Sequence, residues 1–129
     1  MPRNEVSEGK FQPEIVYPTA GKLLDPADLE RTITIILRDS HLATSAREVL
    51  TAMVDENGTF LVLTKKEVGA RAMAQNSEYK ESYLRTVLLA NTRVALKHDS
   101  EVPLEILTEK RARGERGQVV SVYYLQYKK

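Results

Sequence analysis

The groups best placed to do chemistry in this sequence are the cations of its second half. Lys110, Arg111, Arg113 and Arg116 fall within residues 109–117, alongside Glu109 and Glu115, with Gly114 and Gly117 to make a bend. Upstream, Lys65, Lys66, Lys80 and Arg85 are interleaved with Tyr79, Ser82, Tyr83 and Thr86. Arginine and lysine donate to phosphate oxygens and to guanine O6 and N7, and hydroxyls serve several bases or a phosphate. An arginine on a flexible tip can also enter a narrow minor groove. The expected partner is therefore double-stranded DNA. Glu78 and Glu81 oppose this, since they would meet phosphates unfavourably unless they accept from cytosine N4.

These side chains need elements to hold them. Thr64-x-x-Glu67 is a capping box that predicts a helix through about Ala74. Ser77 is expected to cap a longer helix running to about Lys97. Its buried stripe is read as Leu84, Val87, Leu88, Asn91, Val94 and Ala95, which turns Tyr79, Lys80, Ser82, Tyr83 and Thr86 outward and leaves Arg85 and Arg93 near the edges. Leu104 and Ile106 alternate with Glu105 in one strand. Val119 to Tyr127 is rich in strand formers, so residues 109–117 become the tip of a hairpin.

The first half supplies the support. Asp25-Pro26-Ala27-Asp28 is a strong helix start, followed by Leu29, Ile33, Ile36 and Leu37 at helical spacing. The β-branched run 32–36 conflicts with that helix. Ser45-x-x-Glu48 predicts a second box, with Ala46, Val49, Leu50, Met53 and Val54 as its stripe. Asp55 to Gly58 ends that helix, and Thr59 to Leu63 reads as a buried strand. Residues 1–14 are expected to be a flexible tail. Residues 15–129 are expected to be one domain, opening on a short extended piece, Ile15 to Pro18.

The order helix–helix–strand–helix–helix–strand–strand, over about residues 25–127, resembles the winged-helix superfamily. The resemblance implies an α+β fold, mainly helical, with a C-terminal β-hairpin wing. It also implies sequence-specific DNA binding: the helix starting near Ser77 reads the major groove, and the wing 109–117 follows the backbone or minor groove. The role would be that of a transcriptional regulator or of a DNA-partitioning or replication accessory factor. Some winged-helix domains bind only proteins, so the alternative is an interaction module docking on a larger assembly.

Composition sets the remaining bounds. A chain of 129 residues with net charge +1 suits one domain. Residues 1–63 hold 6 Lys+Arg against 10 Asp+Glu, net −4, whereas residues 64–129 hold 13 against 8, net +5. Duplexes respond to such local patches more than to the total. Cysteine is absent, which excludes thiol chemistry and fits a reducing, cytoplasmic setting. No apolar run approaches the roughly 20 residues of a membrane span.

Ala20-Gly21-Lys22 lacks the glycine and hydroxyl of a phosphate loop. His41 and His98 are expected at helix ends in capping or surface roles. No nucleophile–base pair or metal set is visible, so neither an enzyme nor a cofactor is expected. Val119 to Tyr127 is apolar on both faces, as is much of Leu29 to Leu37. That excess predicts a homodimer.

Overall fold

Asp25 opens the first helix as its neighbours require, its carboxylate accepting from the Ala27 amide at 2.9 Å. In the computed structural model, residues 13–17, 21–75, 77–113 and 116–129 are described. Most of the expected tail, Pro18, the turn residue Asn76 and the bend residues Gly114 and Glu115 lie outside them. Glu14, assigned above to the tail, is the first residue of a strand.

Among the described residues the fold is α+β, with four helices and a four-stranded antiparallel sheet. The strands are β1 (Glu14–Val16), β2 (Phe60–Thr64), β3 (Leu104–Arg113) and β4 (Gln118–Tyr127), in the spatial order β1-β2-β4-β3. Helices α1 (Pro26–Asp39), α2 (Ala46–Ala52) and α3 (Lys65–Met73) precede a composite α4. That last helix joins Glu81–Tyr83, a π-helical stretch Leu84–Leu88, and Leu89–His98.

The β-branched run resolves as helix because α1 buries Thr32, Ile33, Ile35 and Ile36 against the core, and packing overrides strand propensity. Two expected caps differ in outcome. The Thr64–Glu67 box forms in both directions, at 3.2 and 2.7 Å. The Ser45–Glu48 box does not form, because the Ser45 hydroxyl sits 2.7 Å from that of Ser77 instead. Nor does Ser77 cap α4. Its hydroxyl accepts from the Tyr79 amide at 3.1 Å in a bend, and the helix begins only after Lys80.

The buried face of α4 also departs from the expected stripe. Leu84, Leu88 and Ala95 are buried, but Val87, Asn91 and Val94 face solvent, and Leu89, Thr92 and Leu96 take the inward positions. The cause is the π stretch, in which the Leu89 amide bonds the Leu84 carbonyl five residues back. One extra residue in a turn shifts every later residue around the helix axis.

The hairpin is longer than expected. Its register runs from Leu104↔Tyr127 to Arg113↔Gln118, so residues 109–113 belong to β3 rather than to a loop. One face carries Leu104, Ile106 and Leu125, which join the core with Tyr123 and Tyr127 packed against it. The other carries Glu109, Arg111, Arg113, Val122 and Tyr124.

Arg111 crosses that second face. It bonds Glu109 on its own strand and Glu14 on β1, at 2.9 Å to the latter, with β2 and β4 between. Val62 and Val122, on the same face of the intervening strands, are fully buried. The apolar surplus behind the expected dimer is thus largely covered within the chain. In β4 only Val119 remains an exposed large hydrophobic, and Ile33, Ile35 and Ile36 of α1 are buried.

Tyr127 is likewise an internal tie. Its hydroxyl donates to Asp28 at 2.7 Å and accepts from the Asp25 amide at 2.9 Å, joining the end of β4 to the start of α1. Burial and the neighbouring carboxylates hold its phenol above the ordinary tyrosine range.

Candidate nucleic-acid interface

The pair α3–α4 is held close at one point. A Cβ added to Gly69 would lie 2.8 Å from Glu81 Cγ and 3.0 Å from Arg85 Cβ, so only glycine lets α3 rest on the first turns of α4. The connection ahead of α4 is tied to the start of α2 by Ser45–Ser77 and by Thr44 Oγ1 donating to Glu78 at 3.3 Å. Farther along, Arg93 Nε donates to the Ile106 carbonyl at 3.2 Å and fixes α4 beside β3.

Within this frame the expected site residues separate into groups. Lys65 and Lys66 are exposed on the first turn of α3, beside the buried Glu67. Lys80, Ser82 and Thr86 are exposed at the start of α4, with the Thr86 hydroxyl donating to the Ser82 carbonyl. Tyr79 and Tyr83 do not point outward as expected. They stack on each other at 5.0 Å between centroids and pack against the core. Arg85 is half-buried and paired with Glu81 at 3.5 Å.

The hairpin cations divide more sharply. Lys110 lies exposed on the opposite face of β3 from Arg111 and Arg113, and Arg116 is exposed at the turn. Arg111 is bracketed by Glu109 and Glu14, whose hydrogen bonds favour its charged form while burial opposes it. Arg113 is turned inward. Its guanidinium forks onto Glu67 at 3.0 and 3.2 Å, and the side chains are only 10% and 7% exposed. The expectation that both arginines stand free at a tip is therefore corrected. Strand alternation places them on one face, where carboxylates from β1 and α3 meet them.

Among the described residues, Lys65, Lys80, Lys110 and Arg116 carry no ion pair. The Arg113–Glu67 bond brings the hairpin's end against the first turn of α3, which carries Lys65 and Lys66. A further group was not singled out from sequence. Lys97, Lys128 and Lys129 line an open groove with Ser100 and Glu105, and Lys128 Nζ donates to the Asp99 carbonyl. The paired lysines after β4 were the available signal.

His41 and His98, far apart in sequence, line one open groove of about 750 Å³ with Asp39, Asp99 and Glu101. His41 adopts a left-handed backbone, φ 54°, just past α1. Among the described residues no group of three or more His, Asp or Glu could hold a metal ion, and no helix is long and apolar enough to cross a membrane. No protein-family model, curated protein or solved structure matches the chain.

Proposed function

We propose that this chain is a winged-helix protein that binds double-stranded DNA, with α4 in the major groove and the hairpin tip along the backbone or in the minor groove. The observation that carries this reading is the charge of α4. From Ser82 to His98 it holds Arg85, Arg93, Lys97 and His98 and no carboxylate. A solvated amphipathic helix normally mixes both signs; a helix with no anion beyond its first residue, Glu81, suits a polyanion. The topology supports the reading, because the helix pair lies between β2 and the hairpin, and β4 returns between β2 and β3. A role in transcriptional control, partitioning or replication follows from specific duplex binding. A second copy would present two α4 helices to a two-fold site.

Mobility shifts on duplexes from the flanking genomic locus, repeated across a salt series, test the proposal. Wild type should bind with an affinity that falls steeply as salt rises. Lys110→Ala with Arg116→Ala should lower the salt slope by about 1–2 if each cation neutralises about one phosphate. Absence of salt-dependent duplex binding would defeat the reading. One observation favours docking on a protein instead: Val87 and Val94 are 42% and 53% exposed on the solvent side of α4. Such an apolar contact would hold as salt rises.

A further inference from the structure

Arg113 is the last residue of β3, opposite Gln118 at the end of the hairpin ladder. Its pair with Glu67 is the most enclosed ion pair among the described residues. Every other such pair has side chains at least 35% exposed. Glu67 is committed twice, since the Oε1 that receives Arg113 also accepts from the Thr64 amide at 2.7 Å. That amide begins α3, and α3 rests on α4 through Gly69. A continuous path of contacts therefore runs from the end of the wing, through one carboxylate, to the helix proposed to read bases.

We infer that the Glu67–Arg113 pair is the strut that sets the wing against α3 and α4, and that Arg113 is a positioning residue rather than a DNA contact. Its consequence for DNA rests on the proposed function; the strut itself does not. A fork between guanidinium and carboxylate fixes direction as well as distance. A buried pair of this kind contributes little net stability compared with apolar packing, but removal of one partner strands the other charge out of water. Arg113 leaving for a phosphate would strand Glu67 in that way, so the pair persists when DNA binds. Contact with the duplex is left to Lys110 and Arg116.

The chain has no cysteine, so paired spin labels can be placed cleanly. Val94→Cys and Val119→Cys put them at exposed positions on α4 and the wing. The unaltered strut should give one narrow distance distribution. Glu67→Gln keeps an acceptor for the Thr64 amide, and Arg113→Met removes the guanidinium; both should broaden the distribution. On DNA, both should reduce discrimination between specific and competitor duplex several-fold and leave the salt slope unchanged.

A narrow, unshifted distribution in folded Glu67→Gln or Arg113→Met would overturn the strut. So would a fall of about 1 in the salt slope for Arg113→Met, which would mark it as a phosphate contact. Should the wild type bind no duplex at all, the proposed function fails while the distance measurement still decides the strut.

Discussion

The outer half of the hairpin and the solvent side of α4 are both rich in cations, and they use them in opposite ways. On the hairpin, Arg111 and Arg113 share a face with Glu109 and are met there by Glu14 and Glu67 from other elements. On α4, no carboxylate follows Glu81, and Arg93 is spent on a backbone carbonyl rather than an acid. The hairpin arginines are held by acids from other elements, whereas the cations of α4 beyond Arg85 meet no acid within the helix. The availability of a cation is thus decided by what folds opposite it. Alternation along a strand and the extra residue in α4 settle what that is.

The comparison can be broken most directly inside α4. Leu89→Ala should destabilise the fold by about 2–5 kcal/mol, since Leu89 is buried. Val94→Ala should stay within about 0.5 kcal/mol. Denaturant melts of both check the phase set by the π stretch, and equal effects would contradict it.

Gly69→Ala comes next. Helix propensity alone would favour alanine by about 1 kcal/mol. The contacts at 2.8 and 3.0 Å should reverse the sign, for a net loss of about 1–3 kcal/mol by overpacking. A stabilised variant in thermal melts would show that α3 and α4 separate freely.

On the hairpin, Arg111→Ala should cost up to about 1 kcal/mol by releasing Glu14 and Glu109. Hydrogen exchange should then quicken in β1 before it does in β3, and unaltered β1 protection would remove Arg111 from its bridging role.

The smallest effect belongs to an exposed pair outside both regions. Arg47→Ala should cost less than about 0.5 kcal/mol. The Arg47 hydrogen bond holds Glu30 below its ordinary value of 4.5. A depressed carboxylate contributes stability above its unfolded value and loses it as pH falls through the folded one. Wild type and variant should therefore converge in acid, and a difference that grows on acidification would reverse the assignment.

Much of this fold is legible in the residues. Asp25-Pro26 and Thr64-x-x-Glu67 act locally, and each forms its cap with atoms a few residues away. Ser45-x-x-Glu48 carries the same grammar and fails, because a hydroxyl from a distant bend reaches Ser45 first. The π stretch leaves no mark in a window that assumes one helical period, so such a window turns Val87 and Val94 inward and leaves out Leu89 and Leu96. The cations of the candidate site were visible as residue types. Their partners were not, since Glu14 and Glu67 lie 97 and 46 residues away from the arginines they hold.

The π stretch in α4 has a hereditary consequence. A helix with one residue too many is a helix that can lose one. Deletion of a single codon between Leu84 and Leu88 would let the wide turn close into an ordinary α turn, and the residues beyond it would keep their faces, because the five-residue step already brings Leu89 round to the place a four-residue step would reach. Leu89 and Leu96 would stay inward and Val94 outward. The same deletion anywhere else in α4 would rotate all that follows by about 100° around the axis, so this one turn is where the gene can shorten without turning the helix over.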